Sequence, residues 1–357
     1  MNHNTYMRRC LQLAQLGKGY TAPNPMVGAV LVHNDQIIGE GWHHVYGKDH
    51  AEVDCLNNVT TENRHLIPDS TMYVSLEPCA HYGNTPPCAT RLVQERVKKV
   101  IIANKDPFDK VSGKGIEILH AGGIATETGI LEQEGAWVNR RFFCFHERKR
   151  PYIILKWAET KDGFIAPADR SRLQITGTES QQLVHKWRTE EAAIMVGTTT
   201  ALNDNPSLTA RLHEGKQPLR IVTDRNLVIP QRSNLFNADA RTWIVNEHKE
   251  SGSEENIRYV EMPFDNNMLY VLLSRLYDAR ILSIIIEGGA ALLNSFIMQG
   301  LWDEARILTG NITLHDGIGS PQLNNEQPAF TKDIGKDVLR VYVNQESRYP
   351  YAAGMEL

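Results

Sequence analysis

The sequence predicts an α/β protein of two domains, an N-terminal three-layer α/β/α domain followed by a second α/β core. Three observations lead there. Apolar, β-branched runs of strand length alternate with helix-like stretches through both halves of the chain. The 357 residues exceed the size at which a single hydrophobic core usually stops growing. Three metal-ligand side chains, His50, Cys79 and Cys88, fall at the starts and ends of first-half elements rather than inside them.

Met7, Leu11, Ala14 and Leu16 recur at near-helical spacing, and Pro23-Asn24-Pro25 stops any helix begun there. Residues 27–32 and 36–40 flank Asn34-Asp35 and read as the strands of a hairpin. After Trp42-His43-His44 and a loop holding Gly47, His50 opens a helical run through Val53 and Leu56. Residues 71–76 are a β-branched and aromatic strand with Glu77-Pro78-Cys79 at its end. Pro86-Pro87 ahead of Cys88 mark a helix start, because proline is tolerated where the amide hydrogen would be unpaired anyway. Both thiols are thus expected near helix N-termini, where a thiolate is favoured. Residues 97–103 then form a strand, 115–121 a helix and 124–126 a last strand.

The domain boundary is set after residue 147, with the second domain spanning 151–357. Residues 139–151 mix aromatics and cations; the aromatics are expected to pack between domains and the cations to form a solvated face. Strands are expected at 152–157, 192–196, 219–223 and 281–286, and a helix at 179–187. Glu287-Gly288-Gly289 follows the last of these strands. Two glycines there either make a plain tight turn or let the free amides of the next helix approach a phosphate. No G-x-G-x-x-G run occurs, which disfavours an ordinary dinucleotide site.

One imidazole and two thiolates fill three of the four tetrahedral positions of Zn²⁺ and leave the fourth for water. Glu52, two residues from His50, can work on that water, whereas a structural zinc would want four ligands and no spare acid. In a helix interior His50 and Glu52 would point to nearly opposite sides, so the pair works only in a first turn. His-x-Glu, then Pro-Cys, then a second Cys is the pattern of zinc-dependent base deaminases, here with a longer spacing between the cysteines.

Composition narrows the class. With 41% hydrophobic and 22% charged residues the chain is ordinary for a soluble globular protein. A formal net charge of −4 gives no overall pull toward nucleic acid or an anionic membrane, which favours small-molecule chemistry. The first residues carry no apolar signal-peptide core and no run reaches membrane-spanning length, so a cytoplasmic address is expected. Five scattered cysteines make no disulfide framework; Cys10, Cys55 and Cys144 are expected as buried small hydrophobes.

Pro23-Asn24-Pro25-Met26-Val27-Gly28, His50-Ala51-Glu52 and the stretch Glu77-Pro78-Cys79 through Pro86-Pro87-Cys88 resemble the bifunctional pyrimidine deaminase/reductase family of riboflavin biosynthesis. The eight residues between the cysteines separate it from transfer-RNA adenosine and free cytidine deaminases, which usually place two there. Asp162-Gly163, Ile175-Thr176-Gly177, the run from Val196-Gly197 to Leu208-Thr209, and Glu287-Gly288-Gly289 resemble the reductase half, so the likeness covers nearly the whole chain.

The resemblance implies a cytidine-deaminase-like first domain and a dihydrofolate-reductase-like second one. It makes His50, Cys79 and Cys88 the zinc ligands and Glu52 the proton shuttle, with Asn24 and His43 contacting the pyrimidine. NADPH is implied to meet Ala158, Thr200, Asp204, Arg225 and the segment Gly289, Ala290, Ala291, Leu292, Leu293, Asn294 and Ser295. The phosphorylated ribosylamino substrate is implied to meet Arg172, Arg188, Leu208, Arg211 and Glu287. The implied reaction is zinc-dependent deamination of 2,5-diamino-6-(5-phosphoribosylamino)pyrimidin-4-one, then NADPH-dependent reduction of the ribose to a ribityl chain. Two positions depart from the family: Asn84 where Lys or Arg is common, and Gln174 where Trp is common.

Two rivals stay open. A polynucleotide base deaminase with a degenerate second domain would need a basic channel and aromatic stacking beside the zinc. A zinc-stabilised regulatory protein would bind zinc and nucleotide without turnover. Homo-oligomer formation and the choice between NADPH and NADH are not fixed by the sequence.

Overall fold

The structure is a computed structural model and describes residues 2–80, 86–108, 112–251, 256–323 and 326–355; Asn84 lies outside them. In chain order the first elements are α1 (His3–Gln15), β1 (Gly28–His33), β2 (Gln36–Trp42), α2 (Ala51–Asn57), β3 (Thr71–Leu76), α3 (Cys88–Gln94), β4 (Lys99–Asn104), α4 (Lys114–Ala121), β5 (Ala125–Thr128), α5 (Glu132–Val138) and α6 (Arg140–Arg148). They build a five-stranded sheet in the order β2-β1-β3-β4-β5. The β1 strand pairs antiparallel with both β2 and β3, whereas β3, β4 and β5 run parallel.

Strand alternation makes the layers. Ala29, Leu31, Met72, Val74, Val100 and Ile102 face one way and pack with Ala51 and Leu56 of α2, Ala89 and Leu92 of α3 and Leu119 of α4. The intervening Val30, Val32, Tyr73, Ile101 and Ala103 face the other way, onto Met7, Cys10 and Leu13 of α1. The expected α/β/α sandwich is therefore present. The β1–β2 turn has Asn34 at φ 47° and Asp35 at φ 63°, the left-handed pair that a two-residue hairpin requires. Gly41 is dictated by packing: a Cβ there would collide with the backbone nitrogen of Cys55 on α2. Cys10, Cys55 and Cys144 are all buried.

The remaining elements are β6 (Tyr152–Glu159), β7 (Phe164–Ala166), α7 (Thr178–Glu190), β8 (Ala193–Val196), α8 (Thr198–Asp204), β9 (Leu219–Thr223), β10 (Thr242–Asn246), β11 (Ile257–Glu261), α9 (Met268–Asp278), β12 (Ser283–Ile286), α10 (Ala290–Met298), β13 (Glu304–Thr309), β14 (Ile318–Gly319), β15 (Phe330–Ile334) and β16 (Asp337–Val343). A nine-stranded sheet runs β11-β10-β9-β8-β12-β6-β13-β16-β15. It is parallel from β11 to β13, and β16 pairs antiparallel with both β13 and β15. Leu269, Leu272, Leu273 and Leu276 put one face of α9 into the core, with Leu293 and Phe296 of α10 and Ile153, Leu155, Ile284 and Ile286 of the central strands.

Two expectations are corrected. The chain divides into one unit of Met1–Arg148 with Tyr349–Leu357 and another of Lys149–Arg348, so the C-terminal tail belongs with the first domain, not the second. Its anchors explain this: Tyr349, Ala352 and Met355 are buried, Trp137 Nε1 donates to the Met355 carbonyl at 3.0 Å, and Tyr349 donates to Glu147 at 2.7 Å. The second correction is the basic run. It is a helix, α6, with Phe142, Phe143 and Phe145 buried, and Arg140 is 3% exposed with its guanidinium 3.8 Å from the Trp137 ring centroid. Arg140 is thus a buried cation over an aromatic face, not part of a solvated face. Among the described residues no helix is long and apolar enough to cross a membrane.

Candidate active sites

In the first unit three elements deliver three candidate ligands. His50 is the extended N-cap of α2, which puts Glu52 in the first turn, where the two side chains can face one centre. Cys79 follows the end of β3, and Cys88 is the first residue of α3 after an N-cap Pro87. Cys79 itself lies in irregular chain, and the first amide of α3 donates to its sulfur at 3.3 Å, so its thiol lies at a helix N-terminus. His50 Nδ1 stands 3.6 Å from the Cys79 sulfur and 3.3 Å from that of Cys88, and the three donor atoms lie within 4.8 Å of one another. Ligands around a tetrahedral zinc are roughly 3.5 Å apart, as follows from metal–ligand distances of about 2.0–2.3 Å, so this donor set fits the ion.

The electrostatics suit the same purpose. Hydrogen bonding from Cys88, against the opposing effect of burial and with help from His50, holds the Cys79 thiol down at about 4, so that sulfur is a thiolate. The Cys88 thiol is pushed up by its hydrogen bond to Cys79 and by burial. Glu52 is 3% exposed, and burial and the Cys79 charge lift its carboxyl to about 7. Such a group can both take and give a proton near neutrality.

Asn24 and His43 also reach the site. His43 Nδ1 donates to the Asp49 carbonyl at 2.9 Å, and Asn24 Nδ2 donates to His43 Nε2 at 3.2 Å. Burial lowers the His43 pKa, in keeping with that neutral tautomer, and its ring meets His50 edge-on at 5.2 Å. Asn24 keeps its carbonyl oxygen for a ligand.

Sequence reasoning did not single out Glu77. Its buried carboxylate accepts from the backbone N–H of Asp106 at 3.3 Å, Gly113 at 3.0 Å, Gly115 at 3.0 Å and Ile116 at 3.4 Å. It ties the strand end that carries Cys79 to the start of α4.

In the second unit a charged cluster surrounds Glu287, which follows β12. Arg188 of α7 binds it with two parallel hydrogen bonds of 2.9 and 2.7 Å and donates a third to the Thr209 carbonyl at 3.1 Å. Lys156 Nζ, which the sequence did not flag, lies 4.0 Å from the same carboxylate. Burial alone would raise Glu287, but the charges of Arg188 and Lys156 and the Arg188 hydrogen bond outweigh it and hold the carboxyl at about 2. Arg211 is exposed and donates to Thr209 Oγ1 at 3.3 Å, and Leu208 takes φ 53° just before it. The structure thus joins Arg188 to Glu287 and, through Thr209, to Arg211, whereas the Leu208 side chain is buried in the core with Ile194 and Val222.

Of the expected cofactor residues, Gly289 lies against Thr200. A Cβ on Gly288 would stand 3.0 Å from Thr200 Cγ2, and one on Gly289, at φ 72°, 3.2 Å from its Oγ1; this is a close backbone cradle at the start of α10. Within that helix Leu292 and Leu293 point into the core, Ser295 Oγ returns to the Ala291 carbonyl at 2.8 Å, and Ala290, Ala291 and Asn294 are accessible. Ala158 is half-buried on β6, and Asp204, at the end of α8, feels the charge of the exposed Arg172. Arg225 is engaged by Glu247 at 2.7 Å, and Gln174 is exposed and bonds to the Thr176 carbonyl.

Comparison with known proteins covers both halves of the chain. Residues 1–104 match the cytidine and deoxycytidylate deaminase zinc-binding region, and residues 151–329 match the RibD C-terminal domain. The riboflavin biosynthesis protein RibD of Aquifex aeolicus is 37% identical over 88% of this chain and 88% of its own length, and that of Bacillus amyloliquefaciens 36% identical over 92% and 90%. Among solved structures, Acinetobacter baumannii RibD is 32% identical with a TM-score of 0.88, covering 96% of this chain and 99% of its own. The Thermotoga maritima diaminohydroxyphosphoribosylaminopyrimidine deaminase/5-amino-6-(5-phosphoribosylamino)uracil reductase is 30% identical with a TM-score of 0.87, covering 96% and 98%. The chain belongs to the RibD family of riboflavin biosynthesis proteins, with a deaminase half and a reductase half.

Proposed function

We propose that the chain performs two consecutive steps of riboflavin biosynthesis. It hydrolytically deaminates 2,5-diamino-6-(5-phosphoribosylamino)pyrimidin-4-one in the first unit and reduces the ribose of the product to a ribityl chain in the second. The cofactors are Zn²⁺ and NADPH. The convergence of His50, Cys79 and Cys88 beside the buried Glu52 carries this reading.

His50, Cys79 and Cys88 would hold the zinc, which when bound supplies Lewis acidity toward water. Glu52 takes a proton from that water and delivers it to the departing amine. Asn24, with its amide N–H committed to His43, presents its carbonyl to the donor edge of the pyrimidine. His43 keeps Asn24 oriented.

NADPH would lie over the Thr200–Gly288–Gly289 cradle and supply the hydride. Lys156, Arg188 and Glu287 form a fixed charged floor for the ribosylamino chain. Arg188 already spends three hydrogen bonds inside the protein, so the exposed Arg211 takes the larger share of the substrate phosphate. Substrate and cofactor are small molecules, a reading that needs neither nucleic acid nor membrane and fits a cytoplasmic enzyme.

The test is an assay of purified protein with the authentic diaminopyrimidine, in which ammonia release and NADPH oxidation are followed separately. Ammonia is expected first, with oxidation dependent on the deaminated product. Zinc and NADPH binding without either activity would contradict the proposal.

A further inference from the structure

The irregular segment after α8 carries Leu208 and Arg211, and side chains hold it in place. Arg188 donates to the Thr209 carbonyl at 3.1 Å, Ala210 N–H donates to Gln217 Oε1 at 2.8 Å, and Leu212 N–H donates to His185 Nδ1 at 3.4 Å. His185 and Arg188 are one turn apart on α7, so one helix face grips the segment at two points either side of Arg211. The Leu212 side chain is 51% exposed and Arg211 is exposed as well, so burial of their own side chains does little to fix this stretch.

We infer that His185 is a positioning residue for Arg211: its imidazole pins the backbone at Leu212 and thereby sets where the Arg211 guanidinium stands for a phosphorylated substrate. This rests on the reading of the second unit as the reductase. A ring nitrogen that accepts an amide N–H must be unprotonated. Burial, reinforced by the charges of Arg188 and Arg211, keeps the His185 pKa down at about 4, so the accepting form is the one present near neutrality. His185 is 6% exposed and acts through the backbone, which distinguishes it from a group that touches substrate.

The experiment compares His185→Ala, His185→Asn and Arg211→Ala in the full-length protein. Reduction is assayed on the deaminated, phosphorylated intermediate and on its dephosphorylated counterpart, with deamination as the check that the chain is intact. His185→Ala is expected to raise KM for the phosphorylated substrate about fivefold to tenfold, the effect of one lost hydrogen bond, while kcat stays within about twofold. The Asn carbonyl can replace Nδ1 as acceptor, so His185→Asn restores most of the loss. The dephosphorylated substrate shows little difference, and in an Arg211→Ala background His185→Ala adds little more.

A fall in kcat at constant KM in both variants would make His185 catalytic and overturn the proposal. Equal losses on both substrates, or full additivity with Arg211→Ala, would overturn it as well. Failure of the unaltered protein to reduce either substrate would sink the reductase reading itself, and the positioning role with it.

Discussion

The backbone N–H of Cys88 donates to the sulfur of Cys79, nine residues earlier, at 3.3 Å. One candidate ligand is thus steadied by the first amide of the helix that begins with another. Cys79→Ser removes the low-pKa thiolate from this pair. Zinc measured by mass spectrometry is expected to fall well below one per chain, with ammonia release lost and reduction of the deaminated intermediate kept within about twofold.

Glu52→Gln keeps the shape of the site and removes its proton carrier. Deamination is expected to drop by about 10²–10⁴-fold while zinc content and reduction are unchanged. Equal loss of both activities in a folded protein would contradict two independent sites.

Glu287 faces two largely covered cations, so Glu287→Ala leaves Arg188 and Lys156 without their carboxylate. Reduction is expected to be lost and the second unit destabilised by about 3 kcal/mol at pH 7 in urea unfolding. The pH dependence has a definite sign. A carboxyl depressed from 4.5 to about 2 adds stability that is full above the unfolded value and fades as pH falls through the folded one. The gap between wild type and variant should therefore narrow between about pH 4.5 and pH 2.

Arg220 is fully buried and bonds only neutral groups: Thr242 Oγ1, Asn237 Oδ1 and the carbonyls of Ser207, Asn234, Asn237 and Ala240. Arg220→Met fills similar volume but removes the donor to Thr242 Oγ1 and to the Ser207 and Ala240 carbonyls, while Asn234 and Asn237 keep other donors. Denaturant unfolding of the second unit is expected to show a loss of about 3 kcal/mol or more, with deamination kinetics unaffected at low temperature.

Ending the chain after Arg348 removes the buried Tyr349, Ala352 and Met355 and the acceptor of the Trp137 indole. The deaminase half is expected to lose about 3 kcal/mol, from two large side chains no longer buried, while the reductase half keeps its unfolding midpoint. Paired thermal inactivation of the two activities reads this directly.

The cluster of His50, Cys79 and Cys88 was legible because its side chains are written in short fixed spacings, and strands such as 71–76 because an apolar, β-branched run needs no tertiary context. Other features depended on partners distant in sequence. Lys156 sits inside a strand and acquires meaning only beside Glu287, and His185 only beside Leu212. The β13 strand escaped notice because Glu304 and Arg306, both fully buried, satisfy each other at 2.6 Å and break the apolar pattern. Arg140 misled for a similar reason: its charge suggests solvent, while the Trp137 ring supplies a buried partner.

The return of residues 349–355 to the first unit has a consequence during biosynthesis. A ribosome makes residues 1–148 well before the anchoring strap 349–355, with the whole of Lys149–Arg348 in between. The nascent deaminase half must wait, its Trp137 indole lacking the Met355 carbonyl, until residues 349–355 have also been made. Separating the halves by cutting the gene at the obvious boundary would leave the first one permanently unfinished.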